Sequence, residues 1–409
     1  MKLLKTPIFS IPILNNIIIL LPIIMLLLSE ILHLIAPSTG IVLKFLGLAI
    51  MILYCLFIFR TNKWLAYLTI LFIPLLIYHY LISFNYNAAL EEFIRYLFPI
   101  IVIFYSYAIK EKFPLLLKFF IFYFVLNILA QILNYTLWLT GIKLWYTSIS
   151  EAGYENIHRV YGVMRATGVT GFFGLFGFMS LITYFLIETF YEGKFKRLLL
   201  ILSFLGIFAS IAYKTIVVLF VLIFLFSKKK FQIILCLIAL SGIFVVSFPE
   251  KSAKFMEGAV ARAQLYIFEG NSARSESYRV MFSDTGILGE GLGAFGGPAS
   301  VTYNSPFYQK VNFDWYGLKL ATTDTYFPHL FIEIGLIGGL IYLAIFFTPF
   351  MRKKINRDAL KMLFIIYFAL FFDSIFSYSI NNTGFLIFSL LLAFPLVYYN
   401  SEKKMVGNE

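Results

Sequence analysis

The chain has 409 residues, 61% of them hydrophobic and 13% charged, with a mean hydropathy of +0.87 and a formal net charge of +12. This balance excludes a fold closed around one aqueous core and predicts an all-α polytopic membrane protein, a single integral membrane domain over residues 1–409. Its basic excess lies in short connections, so it reads as topology, and no nucleic-acid partner is expected.

Five apolar runs come first, at Ile11–Leu28, Ile41–Phe59, Leu65–Phe84, Tyr96–Ile109 and Leu115–Leu139. Each is long enough, or nearly so, to cross ~30 Å of hydrocarbon as a helix. The first has no small-residue cleavage site after it and is followed by more spans, which predicts a retained helix and not a signal peptide. Seven further runs follow, at Phe172–Phe190, Leu198–Ala212, Ile216–Phe226, Phe231–Phe248, Leu330–Phe347, Ala359–Phe376 and Phe385–Tyr398, giving about twelve spans.

Lysine and arginine recur after every second span: Lys2 and Lys5, Arg60 and Lys63, Lys110 and Lys112, Lys194 to Arg197, Lys228 to Lys230, Arg352 to Arg357, and Lys403 with Lys404. By the positive-inside rule these connections and both termini are cytoplasmic, the protein being a multi-pass resident of the plasma (inner) membrane. The opposite side carries a first outer loop over residues 140–170 and a large one over 249–329, between spans nine and ten. Connections of that length usually have a function, so a catalytic or substrate-binding role is expected there.

Six cations break the inside bias: Arg159 and Arg165 around "VYGVM", Lys214 in "SIAYKT", and Arg262, Arg274 and Arg279 in the large loop. They are either solvated loop residues or, in part, a group converging on an anion, because guanidinium forks match phosphate oxygens. Lys214 stands in a tight turn between apolar spans, where the alternative to a partner is snorkelling to the interface. Within spans, Asn127, Gln131 and Asn134 share one helical face, read as interhelical hydrogen bonding or a cavity lining, and Asp373 is expected to meet a basic residue. Glu91, Glu92 and Arg95 read as a solvated or self-paired cluster at a helix mouth.

The run "GILGEGLGAFGG" places Gly286, Gly289, Gly291, Gly293, Gly296 and Gly297 in the large loop. No strand-helix-strand unit surrounds it, which excludes a dinucleotide fold and leaves tight turns with close backbone approach, or a flexible loop. Tyr278, Trp315 and Tyr316 are candidates to stack on sugar rings. Cys55 and Cys236 fall within apolar runs and are expected to pack rather than bind metal, and no cofactor or metal site is expected. The stretch from Thr322 then brings Asp324, His329 and Glu333 to the mouth of span ten, with His329 and Glu333 on one helical face.

Three stretches in order resemble the superfamily of bacterial O-antigen polymerases and O-antigen ligases. They are "RATGVTGFFGLFG" from Arg165, "SARSESYRVMFSDTGILGEGLGAFG" from Ser272, and the stretch holding Glu333, Gly335 and Gly338. Lys214 stands where many members have a serine-arginine pair. The resemblance implies a GT-C-like membrane glycosyltransferase, independent of nucleotide sugars, acting on polyprenyl-diphosphate-linked oligosaccharides within membrane lipid. Partners implied are a flippase and a chain-length regulator. It further implies that Arg159, Arg165, Lys214, Arg274 and Arg279 hold the diphosphate, that Asp324 or His329 is the general base, and that Glu333, Gly291, Gly293 and Gly335 have structural, orienting roles. Ligases commonly carry a histidine-asparagine pair where this chain reads "TDTYF", which favours a polymerase making O-antigen, capsule or exopolysaccharide over a ligase. A transporter is a third reading, but neither repeated halves nor interrupted helices are visible in the sequence.

Overall fold

The computed structural model describes residues 12–58, 60, 62–140, 159–160, 163–226, 272–313 and 325–399, with scattered positions between 242 and 264. The side chains of residues 12–14, 159–160 and 163 are not included in that description. Most of the predicted span Phe231–Phe248 lies outside these residues, as do Arg262, Trp315, Tyr316, Asp324 and Cys236.

The protein is mostly helical and membrane-embedded. Among the described residues, seven helices are long and apolar enough to cross a membrane. In chain order they are α1 (Pro12–Ile35), α2 (Pro37–Ile58), α3 (Lys63–Leu81), α5 (Phe113–Leu139), α6 (Phe173–Phe190), α12 (Tyr326–Phe346) and α13 (Arg357–Phe376). For α1 the qualifying stretch begins at Asn15. Between them run α4 (Tyr86–Ala108), α7 (Lys196–Ala209) and α8 (Tyr213–Phe226), and α13 is followed by α14 (Thr383–Ile387) and α15 (Leu390–Tyr398). A two-residue antiparallel pair, β1 (Arg159–Val160) with β2 (Val163–Met164), precedes α6. The large loop contributes α9 (Ala273–Asp284) and the short turns α10 (Pro298–Thr302) and α11 (Phe307–Lys310).

Helix boundaries follow local chemistry. Asn62 and Asn85 cap α3 and α4 by accepting Trp64 N–H and Asn87 N–H, each at 2.9 Å. That cap starts α4 well before the predicted Tyr96, so Glu91, Glu92 and Arg95 lie within the helix, in its second and third turns. The predicted run Phe385–Tyr398 is two pieces, α14 and α15, separated at Phe388 and Ser389. Helix α1 packs on α2, α3 on α12, α4 on α2 and α15, and α6 on α7. Tyr96, Tyr105, Phe72, Phe120, Phe124 and Phe176 fill the core, whereas Phe57, Ile70 and Phe122 point outward. An apolar exterior around a packed centre is what a hydrocarbon solvent permits.

Candidate functional site

Helix α12 is broken at Gly335, whose φ of 68° and ψ of −179° are open only to glycine. The break frees backbone groups on both sides, and the glycine-rich run of the large loop fills it. Glu290 and Gly291 donate to the carbonyls of Ile332 and Glu333, both at 2.9 Å, while Gly286 and Ile287 accept from Leu336 and Ile337 at 3.4 and 3.3 Å. Gly289, also at positive φ, lies so close that a Cβ on it would meet the Glu333 carbonyl at 2.6 Å. The run continues across the other helices: Leu292 N–H donates to His79 O at 3.1 Å, and Ser83 Oγ donates to Leu292 O at 2.6 Å. Gly291 and Gly293 have φ of 96° and 78° and press on Ser83 and Ala88. Of the two expectations for the glycines, close backbone approach is the one realised. The expectation that no helix is interrupted is corrected, since the sequence reads as one apolar run through Gly335.

Under this plug lies a buried ionisable group. Glu92 of α4 and His329 and Glu333 of α12 are all 0% exposed. His329 Nδ1–H donates to Phe295 O at 2.8 Å, which fixes the tautomer and turns Nε2 toward Glu92 Oε2 at 3.4 Å and Glu333 Oε2 at 3.5 Å. Arg95 Nη1 donates to Glu92 Oε1, and Tyr96 Oη donates to Glu333 Oε2 at 3.1 Å. The Tyr96 ring stacks on His329 with centroids 5.7 Å apart, and Tyr378 meets it edge-on at 5.0 Å. Gly297 closes the top, for a Cβ there would meet His329 Cε1 at 3.0 Å. Beneath the run, burial pushes the Tyr308 hydroxyl up to about 12, and it accepts Gly296 N–H at 3.0 Å.

The solvated reading of Glu92 is therefore corrected; its self-paired reading survives through Arg95, which also reaches Glu91 at 3.7 Å. The signal was present: Ala88, Glu92, Tyr96, Ile100 and Ile103 recur at helical spacing, all at most 3% exposed, so Glu92 sits on the core stripe. Glu333 joins the plug through its carbonyl and the cluster through its carboxylate.

The described members of the expected cation set are engaged with protein groups. Arg165 is buried, donates to Ser210 O at 3.2 Å and Ile211 O at 2.6 Å, and stacks 3.1 Å above the Phe173 ring. Lys214 donates to Asp373 Oδ1 at 2.9 Å and Ser377 Oγ at 2.8 Å, the partner expected for Asp373. Arg279 donates to Glu276 Oε1 at 2.6 Å, and Arg274 is half-buried on the same helix, α9. Arg159 begins β1, with its side chain outside the described residues. Tyr278, a candidate for sugar stacking, donates its hydroxyl to Ile375 O at 2.8 Å. Gln131 Oε1 accepts both Thr167 N–H and Gly168 N–H at 2.9 Å, and Asn127 Oδ1 accepts Val169 N–H at 3.1 Å. The polar face of α5 thus holds loop backbone, where interhelical bonding had been the expectation.

Comparison with protein-family models finds no match, and comparison with curated proteins finds none either.

Proposed function

We propose that the chain is a polysaccharide polymerase, transferring a polyprenyl-diphosphate-linked glycan onto a second lipid-linked repeat unit at the outer face of the plasma membrane. The observation that supports this reading is that the end of α13 joins the stretches that carry the resemblance. Asp373 and Ser377 take Lys214, which follows the turn held by Arg165; Ile375 O takes Tyr278 of α9; and Tyr378 contacts His329. Ser277 and Thr325 add a hydroxyl pair at 2.8 Å between α9 and the start of α12. Residues far apart in sequence thus meet at one end of the bundle, the outer end in the twelve-span topology with both termini cytoplasmic. Buried ionisable groups in a membrane-embedded bundle mark function by default.

In the reaction the acceptor hydroxyl attacks the anomeric carbon, the sugar-phosphate bond breaks with its electron pair leaving on the diphosphate, and a base takes the hydroxyl proton. The charge developing on the leaving group calls for preorganised cations, the role assigned to Arg159, Lys214, Arg274 and Arg279, with Arg165 fixing the turn that presents Lys214. A base must touch its substrate, and His329 is enclosed with both nitrogens turned to protein groups, which favours Asp324 for that role. An apolar groove of about 410 Å³ between α3 and the second half of α12, lined by Tyr67, Ile70, Pro74, Ile337 and Ile341, suits a prenyl chain. The break in α12 is a feature shared with transporters, but here loop backbone pairs across it with Ile332, Glu333, Leu336 and Ile337.

The test is purified protein incubated with one lipid-diphosphate repeat unit and no other acceptor. A ladder of products is expected, abolished in Asp324→Asn. Transfer only to a supplied, different acceptor indicates a ligase, and no transfer to either overturns the enzymatic reading.

A further inference from the structure

Among the described residues, three polar atoms of the cluster under the plug meet no hydrogen-bond partner: Glu92 Oε2 and His329 Nε2, which face each other at 3.4 Å, and Glu333 Oε1, all on side chains with no exposure. Such orphans are costly in a low dielectric, and here all three belong to metal-ligating groups whose donor atoms lie within 4.8 Å of one another. We propose that Glu92, His329 and Glu333 bind one divalent transition-metal ion, zinc or manganese, which clamps α4, α12 and the glycine-rich plug together.

Donor spacing agrees with this assignment. Ligands 2.0–2.2 Å from a tetrahedral zinc stand about 3.4 Å apart. His329 Nε2 is 3.4 Å from Glu92 Oε2 and 3.5 Å from Glu333 Oε2, the oxygen that also accepts from Tyr96, with Oε1 of the same carboxylate unpartnered among the described residues. The surroundings are those of a metal site as well. A ligating histidine usually gives its other N–H to a carbonyl, as His329 does to Phe295, and ligating carboxylates are themselves hydrogen-bonded, as Glu92 is by Arg95 and Glu333 by Tyr96. One imidazole with two carboxylates is a donor set for zinc or manganese rather than calcium or magnesium. Three protein ligands leave the fourth position to a water, and because the cluster is fully buried beneath Gly297 and Tyr96, out of reach of substrate, the ion's role is structural and the inference is independent of the transfer reaction.

Metal content is measured on the full-length chain, purified in detergent without chelators and without substrate. Roughly one equivalent of zinc or manganese per chain is expected. Stripping with a strong chelator should lower the melting temperature, and zinc or manganese, but not magnesium, should restore it. His329→Asn keeps an N–H for Phe295 but is a poor ligand, so it should fold and lose the metal. Folded wild-type protein with no transition metal, its melting temperature unmoved by chelation and by added zinc or manganese, overturns the proposal and leaves a proton shared among the three groups.

Discussion

Replacing Gly335 by alanine isolates the energetic worth of the broken helix. At φ 68° and ψ −179° any residue with a Cβ is strained by about 1–3 kcal/mol. The added methyl carbon would meet Ile287 O, so the run from Gly286 to Gly291 must withdraw. Four backbone hydrogen bonds bind that run to residues 332–337. At about 1 kcal/mol net each, losing half of them adds about 2 kcal/mol, for a total near ~4 kcal/mol. Gly338→Ala is the control: the three atoms nearest an added Cβ there, at 3.1 to 3.5 Å, all belong to the Ile334 side chain, and the variant should stay within about 1 kcal/mol of wild type. Thermal unfolding in detergent reads the difference, and hydrogen exchange reads its cause, since the amides of Glu290, Gly291, Leu336 and Ile337 should lose protection together. Equal melting temperatures for the two variants, or loss of stability with those amides still protected, would refute the reasoning.

Gln131→Leu leaves the amides of Thr167 and Gly168 without an acceptor in a buried site and should cost about 3 kcal/mol, whereas Gln131→Glu keeps the acceptor and should cost less in the same melting assay. Lys214→Met leaves Asp373, whose side chain is 5% exposed, with the Ser377 and Ser379 hydroxyls alone against its charge among the described residues, and should destabilise by about 2 kcal/mol; a double-mutant cycle with Asp373→Asn should show at least about 1 kcal/mol of coupling.

Composition and apolar runs were enough to foresee a helical membrane protein and the seven long apolar helices of the described residues, because hydrocarbon demands that each segment satisfy its own backbone. Ends were less legible. The caps at Asn62 and Asn85 are local signals, but the apolar-run criterion discards polar residues, and so α4 was begun at Tyr96 and its acidic first turns were left outside. Gly335 was hidden for the opposite reason, since a glycine in an apolar run says nothing about a break until the loop that fills it is in place. His329 and Glu333 were visible as one face of α12, and Lys214 and Asp373 as charges in need of partners. That Glu92 meets His329 follows from the packing of α4 and α12, which no local pattern encodes.

The plug precedes the helix it completes. Residues 286–291 are synthesised before Leu336 and Ile337, whose amides they accept, so the carbonyls that repair α12 already exist when that segment leaves the ribosome. A helix that cannot satisfy its own backbone would stall or tilt in lipid if it arrived first. Chain order is thereby expected to matter for assembly: a circular permutant that places the glycine-rich run downstream of α12 should insert less efficiently than the native order in a membrane-insertion assay.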